Sequence, residues 1–114
     1  MGARLLCVAP ELPVSGLESA LRWYRDQLGF ETRQRLDDYA IVSRDGVDLN
    51  LFVAAPDTAP ASLHIYASGI DDLAAEVAAR GAGLHQALES KPWGTRDFRV
   101  RDPFGNELKF TESR

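Results

Sequence analysis

Two short stretches carry side chains suited to holding a small ligand. Trp93 lies within a Pro-Trp-Gly sequence, so we expect its indole to be displayed on a loop, where it could stack on a flat ring. Asp37 and Asp38 form an acidic pair that would favour a cationic group nearby. The alternatives are a rim aromatic that packs a loop or an interface for Trp93, and a solvated turn for the two aspartates.

Groups suited to catalysis are few. The chain has two histidines, His64 and His85, and one cysteine, Cys7. No Ser-His-Asp or Cys-His arrangement follows from their spacing. A single cysteine excludes an intrachain disulfide, and because Cys7 lies in an apolar run we expect a buried, unreactive thiol. His85 lies in a weakly patterned segment, so we expect it at the surface.

The elements that position these residues follow a pattern that occurs twice. A strand, a helix, a glycine and three strands are predicted over about residues 4–55 and again over about 61–112, with 56–60 as a linker. The predicted strands are 4–14, 30–35, 39–43, 47–54, 62–67, 83–88, 95–101 and 107–111. This predicts an α+β fold with two βαβββ repeats, curved sheets and helices on the outer face, within one domain spanning 1–114.

Both helices have predicted ends. Ser15 and Glu18 fit a capping box ahead of the first helix, and Gly29 suits its C-terminal end. Asp71 is the predicted cap of the second helix, and Gly81 ends it.

Alternation within the strands assigns their faces. Apolar side chains on one face pack against a helix, and polar and aromatic side chains face the other way. The side chains predicted to face away from the helices are Asp48, Asn50, Phe52, Ser62, His64, Tyr66, Glu107, Lys109 and Thr111. A curved sheet with such a face is a plausible ligand groove. Neither repeat can bury its sheet alone, so we expect each to be covered by the other or by a partner's copy.

Composition excludes several classes of partner. The 114 residues are 45% hydrophobic and 26% charged, which is typical of a folded domain. A net charge of −4 argues against nucleic acid, which needs a basic patch. No apolar run approaches the roughly 20 residues that span a bilayer, and we expect a cytoplasmic protein with no membrane partner.

The second half of the chain contains a recognisable signature. A type I turn is predicted at Asp102-Pro103-Phe104-Gly105, between two alternating strands. The segment PWGTRDFRVRDPFGN (92–106) resembles the C-terminal signature of the glyoxalase/bleomycin-resistance group, within the vicinal-oxygen-chelate superfamily. The segment LESALRWYRDQLGF (17–30) resembles that group's first helix, so the resemblance covers nearly the whole chain.

The resemblance has implications for metal binding. Enzymes of that superfamily hold a divalent metal with His or Glu from the first and last strands of each repeat. The resemblance places those positions at about Ala9, at Asn50, near Ser62 and at Lys109. None is a good ligand, and an ammonium group would repel a cation. We therefore expect no metal and no cofactor, the alternative being a site built from His64, Glu107 and Glu11.

The resemblance is strongest to the bleomycin-resistance branch, which lacks the metal and binds a cationic, flat antibiotic in grooves shared between subunits. It implies a homodimeric binding protein rather than an enzyme. The implied ligand-binding residues are Trp93, Tyr39, Asp38, Asn50, Phe52, His64 and Lys109. The alternatives are a metal-dependent enzyme of the glyoxalase, dioxygenase or thiol-transferase type, and a binder of another small molecule or an accessory domain.

Overall fold

The computed structural model describes residues 2–113 and contains two copies of one arrangement. The first copy comprises β1 (Glu11–Val14), α1 (Leu17–Leu28), β2 (Glu31–Arg35), β3 (Tyr39–Arg44) and β4 (Val47–Val53). The second comprises β5 (Ser62–Tyr66), α2 (Ile70–Ala79), β6 (Leu84–Ser90), β7 (Thr95–Arg101) and β8 (Glu107–Ser113). The predicted α+β fold with two βαβββ repeats is confirmed.

Each repeat forms its own four-stranded sheet. The strand orders are β1-β4-β3-β2 and β5-β8-β7-β6, and in both sheets the first strand runs parallel to the last while the other pairs are antiparallel. The first strand of each repeat is therefore an edge strand beside the last one. This topology follows from the long helical crossover that a parallel pair requires.

The core lies between each helix and its sheet. The buried face of α1 consists of Leu17, Ala20, Leu21, Tyr24 and Leu28, which recur at helical spacing as predicted. In the second repeat, Phe98 and Phe110 stack with ring centroids 5.0 Å apart beneath α2. Burying each large side chain contributes about 2 kcal/mol before the conformational entropy is subtracted.

The predicted turn after β7 is present and links the two repeats. Asp102 Oδ1 accepts hydrogen bonds from the backbone amides of Phe104 and Asn106, both at 2.9 Å, as an Asp-initiated turn requires. Asp102 Oδ2 accepts from the Tyr24 hydroxyl at 2.7 Å and from Asn106 Nδ2 at 2.8 Å. Asn106 Nδ2 also donates to the carbonyl of Pro13 at 2.9 Å. The turn of the second repeat is thereby fastened to α1 and β1 of the first.

The helix starts differ from the prediction. The N-cap of α1 is Gly16, which has no side chain to cap the helix, and the Glu18 carboxylate accepts a hydrogen bond from Arg35 at 2.8 Å. The N-cap of α2 is Gly69 rather than Asp71, whose carboxylate is held by Arg96 at 2.8 Å. In both cases an arginine competes successfully for the acidic side chain.

The helix ends agree better with the sequence. Gly29 adopts the left-handed conformation (φ 71°), and its N–H donates to the Arg25 carbonyl. Arg80 is the C-cap of α2, and Gly81 follows it with φ 94°.

The N-terminal prediction was wrong in two respects. Only residues 11–14 of the predicted strand 4–14 form a strand, and Cys7 is exposed rather than buried. Residues 2–10, here called the N-terminal arm, have no regular secondary structure. Leu5, Leu6 and Val8 are 101%, 86% and 92% exposed. The apolar run lies outside both sheets and outside the hydrophobic core.

Neither described helix has the length and apolar character that crossing a membrane requires.

Candidate ligand-binding site

Each sheet has one face turned away from its helix, and these faces carry the candidate residues. The first face comprises Glu11, Tyr39, Asp48, Asn50 and Phe52, on β1, β3 and β4. The second face comprises His64, Tyr66, Asp97, Arg99, Glu107, Lys109 and Thr111, on β5, β7 and β8. The predicted alternation of β4, β5 and β8 matches this division: Leu49, Leu51, Ile65, Leu108 and Phe110 are buried against the helices.

The first face combines aromatic rings with an acidic group. Tyr39 lies directly opposite Phe52 across the β3–β4 pair, and Asn50 lies opposite Glu11 across the β1–β4 pair. Asp48 accepts a hydrogen bond from Arg33 at 2.7 Å, and this bond, with a second from Ser43, lowers the pKa of Asp48. Asp48 therefore remains ionised and partnered, whereas the two aromatic rings are only partly buried and open to a flat ligand.

The acidic pair lies at the edge of this face. Asp37 and Asp38, in the β2–β3 turn, are exposed and line a surface depression of about 560 Å³ with Arg35 and Leu36. The backbone carbonyl of Asp38 accepts a hydrogen bond from Val53, which fixes the turn beside the end of β4. The backbone of Asp38 therefore lies beside the end of β4, the strand that carries Phe52.

The second face is dominated by charge. His64 lies opposite Lys109 across the β5–β8 pair, and Lys109 lies opposite Arg99 across the β7–β8 pair. His64 Nδ1 is hydrogen-bonded to Thr111 Oγ1 at 3.0 Å, and its ring stacks on Tyr66 with centroids 6.0 Å apart. The imidazole is therefore fixed in orientation through one nitrogen.

A buried carboxylate on this face escaped the sequence analysis. Asp97 is 4% exposed, accepts a hydrogen bond from Gln86 Nε2 at 2.6 Å and lies 3.7 Å from Lys91 Nζ. Lys91 also pairs with Glu89. These contacts join β6 to β7 immediately beside the turn that bears Trp93. The only signal in the sequence was the alternation of β7, which puts Asp97 on the face opposite Phe98.

Trp93 occupies the tip of the β6–β7 hairpin. Its side chain is 73% exposed and does not line the depression formed by Arg35, Leu36, Asp37 and Asp38. The turn closes through a 2.7 Å bond from the Lys91 amide to the Thr95 carbonyl, and Gly94 supplies a φ of 95°. The indole is displayed on a loop, as the flanking residues predicted, and its role in binding stays a prediction.

The predicted ligand-binding residues therefore fall into two groups on two sheets. Asp38, Tyr39, Asn50 and Phe52 belong to the first repeat, and His64, Trp93 and Lys109 belong to the second. Between residues 2 and 113, no hydrogen bond, ion pair or ring contact connects the two groups. The sequence predicted the residues on each face but not that they would remain apart within one chain.

The strand register corrects two of the implied metal-ligand positions. Ala9 lies outside β1, and Ser62 pairs with Glu107 rather than with Lys109. The equivalent pairs in the two repeats are Glu11 with Asn50 and His64 with Lys109. Two of these four side chains, Glu11 and His64, are potential metal ligands. The alternative cluster of His64, Glu107 and Glu11 is not formed, because no three His, Cys, Asp or Glu side chains within the described part of the chain converge as a metal site.

A separate cavity of about 470 Å³ lies at the junction of the repeats. Its walls include Phe30, Tyr66 and Phe110, and its rim carries Arg44 and Glu76. Arg44 forms two hydrogen bonds to the Glu76 carboxylate, at 2.8 and 2.9 Å, and these lower the pKa of Glu76. None of the seven predicted ligand-binding residues lines this cavity.

The protein is built from two βαβββ repeats, and each repeat has a sheet with a mixed polar and aromatic face. This arrangement defines a class of proteins with a duplicated α+β fold. A family model for the glyoxalase/bleomycin resistance protein/dioxygenase superfamily matches residues 5–110. The chain belongs to this superfamily.

Within this superfamily, the chain is similar to several bleomycin resistance and bleomycin-binding proteins. The bleomycin resistance proteins of Geobacillus stearothermophilus and Staphylococcus aureus are each 28% identical over 122 aligned residues, which cover 89% of this chain and 92% of theirs. A bleomycin resistance determinant encoded on transposon Tn5 superposes with a TM-score of 0.86 at 21% identity, covering 96% of this chain and 99% of that one. A bleomycin-binding protein complexed with bleomycin superposes with a TM-score of 0.85 at 21% identity, covering 96% and 100%. These two structures share the fold.

Proposed function

We propose that this protein is a metal-independent small-molecule binder that sequesters a cationic aromatic antibiotic of the bleomycin type in a groove at a homodimer interface. Its similarity to bleomycin resistance proteins over most of its length supports the ligand class. One observation carries the proposal. Each sheet has a face that its helix does not cover, with exposed aromatic or charged side chains, and the two faces lie apart within one chain. The proposal includes a cytoplasmic location, where such a drug would be intercepted.

The N-terminal arm supports the dimer. Leu5, Leu6 and Val8 expose almost their entire side chains, an arrangement that costs about 1.5–3 kcal/mol for each residue relative to burial. A second copy offers the covering surface that the arm lacks in its own chain. Isologous pairing would bring the first face of one subunit to the second face of the other and so create two equivalent grooves.

The proposed ligand contacts follow from the side chains on each face. A flat aromatic ring would stack on Trp93, and Tyr39 and Phe52 would extend the apolar wall. The cationic tail would lie near Asp37 and Asp38, whose carboxylates have no arginine of the described residues 2–113 within hydrogen-bonding distance. Stacking would add about 1 kcal/mol to the free energy gained by burying the ring.

The proposal includes no metal-dependent reaction because of the residues at the equivalent paired positions of the two repeats. Lys109 occupies one of the four equivalent positions, and its ammonium would repel a divalent cation. Asn50 contributes at most a neutral oxygen. Glu11 and His64 favour the second candidate, a metal-dependent enzyme in which each subunit supplies one ligand to a shared ion.

Fluorescence titration tests the proposal. Metal-stripped protein would be titrated with metal-free bleomycin while tryptophan emission is followed, in the wild type, in Trp93→Phe and in the matched control Trp23→Phe. Trp23 is partly buried and packs edge-on against Tyr24 at 4.9 Å, so it should report little. We expect saturable quenching near one ligand per chain that is lost in Trp93→Phe and kept in Trp23→Phe. No response in wild type would overturn the antibiotic assignment.

Sedimentation tests the dimer independently. The double variant Leu5→Asp/Leu6→Asp should sediment as a monomer and lose the binding signal, because it places charge on the surface that a partner would cover. Leu36→Asp, at a position 55% exposed and outside the arm, is the control and should remain dimeric. A wild-type protein that sediments as a monomer at micromolar concentration would contradict the shared groove. Tight binding of Zn²⁺ or Ni²⁺ that His64→Ala abolishes would instead support the enzyme.

A further inference from the structure

A row of basic side chains crosses the second face. His64, Lys109 and Arg99 lie on adjacent strands at directly paired positions. Directly opposed residues on one face of a sheet have Cβ atoms about 4.5–5.5 Å apart, and like charges in such positions repel each other. The equivalent pair in the first repeat, Glu11 and Asn50, has no such repulsion.

Arg99 is partnered differently from six of the other arginines. Arg25, Arg33, Arg35, Arg44, Arg80 and Arg96 each donate a hydrogen bond to a carboxylate at 2.7–3.0 Å. Within residues 2–113, the carboxylate nearest to Arg99 is that of Glu107, at 3.7 Å, and Arg99 Nε is buried without a hydrogen-bond partner. A buried donor without an acceptor is unfavourable, so this guanidinium has unused capacity to bind an anion.

Lys109 is similarly free. Its side chain is partly buried, and across residues 2–113 the structure shows no hydrogen bond or ion pair for its ammonium. The Lys109 ammonium lies on an inner strand of the sheet, next to the Arg99 guanidinium. Two neighbouring positive charges repel each other in the empty protein and attract a bound anion.

The carboxylates nearby do not neutralise the row. Asp97 and Glu89 both pair with Lys91. Glu107 lies 3.7 Å from His85, 3.7 Å from Arg99 and 3.8 Å from Arg101, so one carboxylate is shared among three basic groups. Among residues 2–113, neither the Lys109 ammonium nor the Arg99 guanidinium therefore has a carboxylate within hydrogen-bonding distance.

We propose that Lys109 and Arg99 form a binding site for an anionic oxygen group, a carboxylate or a phosphate, borne by a small aromatic ligand. The anion is held between the ammonium and the guanidinium, with His64 at its edge and the Tyr66 ring available for stacking. This site goes beyond the antibiotic proposal, since a cationic drug does not require it. Its ligand is an aromatic acid, or a zwitterion if one molecule occupies both faces.

Matched aromatic probes test the site. The wild-type protein would be titrated with 2-naphthoate, its neutral analogue 2-naphthamide, 1-naphthyl phosphate and inorganic phosphate, with binding followed by amide chemical shifts in NMR. The variants are Lys109→Asn, which installs the residue of the equivalent position 50, and Arg99→Gln. Arg33→Gln removes an equal charge from the first face and is the control.

We expect 2-naphthoate or 1-naphthyl phosphate to bind saturably, with affinity at least tenfold weaker in Lys109→Asn and Arg99→Gln and unchanged in Arg33→Gln. 2-Naphthamide should not bind detectably. Binding of inorganic phosphate as tight as that of 1-naphthyl phosphate would overturn the aromatic part of the proposal and leave a free-oxyanion site. Equal binding of naphthoate and naphthamide, or affinity unaffected by either variant, would overturn the site.

Folding of the variants has its own readout. Lys109→Asn and Arg99→Gln both relieve like-charge repulsion, so the melting temperature of Lys109→Asn should equal or exceed that of wild type. If Lys109→Asn melts at a lower temperature, Lys109→Met replaces it in the binding experiment. The bleomycin titration reports on Trp93 and does not test binding of an anion to Lys109 and Arg99. The two proposals can therefore fail separately.

Discussion

The turns that precede the last strand of each repeat start from the same residues but have different roles. Both begin with Arg-Asp, at Arg44-Asp45 and at Arg101-Asp102. Asp45 and Gly46 form a two-residue hairpin turn with φ values of 52° and 80°, and the Asp45 side chain is 87% exposed. Asp102 is 5% exposed and accepts four hydrogen bonds. In the first repeat the aspartate only has to adopt a positive φ. In the second repeat the aspartate is buried, and its hydrogen bonds join the two repeats.

The faces of the two sheets differ in a parallel way. Glu11 and Asn50 in the first repeat correspond to His64 and Lys109 in the second, so this pair is acidic and neutral in one repeat and basic in the other. The positions that pack under the helices are apolar in both repeats, whereas these positions facing away from the helices carry different side chains. Substitutions at equivalent positions should therefore separate the two repeats.

The largest expected difference concerns the two turn aspartates. Asp102→Asn replaces a carboxylate that accepts four hydrogen bonds with a group that must present donors to donors, so we expect a loss of about 3 kcal/mol in the free energy of unfolding. Asp45→Asn should change it by less than about 0.5 kcal/mol, because asparagine also tolerates positive φ. Urea unfolding measures both. Equal effects would show that the junction does not depend on Asp102.

The next effect concerns the hydroxyl that links α1 to this junction. Tyr24→Phe should cost about 1.5 kcal/mol at neutral pH, since it removes a hydrogen bond to a charged group. Burial, followed by the charge and hydrogen bond of Asp102, raises the pKa of Tyr24 well above its ordinary value.

The neutral hydroxyl is thus favoured by folding, and its contribution is complete below about pH 10, the ordinary tyrosine pKa, and lost as pH rises towards the folded value. Wild-type stability should fall more steeply above pH 10 than that of Tyr24→Phe. Tyr66→Phe, at a position 68% exposed, is the control and should follow wild type. Parallel pH curves for wild type and Tyr24→Phe would contradict the assignment.

A smaller effect separates the arginines that precede the two turns. Arg44 donates to the Glu76 carboxylate and to the Leu28 carbonyl, whereas Arg101 lies 3.8 Å from its nearest carboxylate and is 55% exposed. Arg44→Met should cost about 1 kcal/mol, and Arg101→Met should be near neutral.

Acid pH provides an independent check on this pair. Hydrogen bonding from Arg44 lowers the pKa of Glu76, so the contribution is present above the ordinary glutamate pKa and disappears as pH falls through the lower, folded value. The difference between wild type and Arg44→Met should shrink below about pH 4. A difference that is unchanged at pH 3 would mean that packing of the arginine stem, and not the ion pair, stabilises the contact.

The smallest effects concern the helix starts. Ser15→Ala and Ser68→Ala should each change the free energy of unfolding by less than about 0.5 kcal/mol, because glycine is the N-cap in both repeats. Glu112→Gln should cost about 0.5 kcal/mol, since the Glu112 carboxylate accepts a 2.7 Å hydrogen bond from the Gly69 amide at the N-terminus of α2. A larger loss in Ser15→Ala would restore the capping box that the sequence predicted.

Short-range patterns account for the predictions that were confirmed. Alternation and helical spacing placed the apolar positions of α1, β4 and β8 because those periods are properties of the local backbone. Gly29, Asp45-Gly46 and the turn at Asp102 were also predictable, since positive φ and Asp-initiated turns depend on a few adjacent residues.

The errors arose where distant groups competed for a side chain. Arg35 and Arg96 took the carboxylates that were expected to cap the helices, and no sequence spacing indicates that a residue on another strand will do so. The register offset that separates Ser62 from Lys109 depends on how β5 pairs with β8, which is a long-range choice.

The sequence by itself determined the duplicated fold and the identity of the side chains on each sheet face, because both follow from local periodicity. Only the tertiary structure decided that Asp102 would be buried between the repeats, that Lys109 and Arg99 would be neighbours with no carboxylate among residues 2–113 within hydrogen-bonding distance, and that the N-terminal arm would stay outside the core. Those outcomes depend on which remote strands and helices meet, and hence on which charges and apolar groups each element can reach.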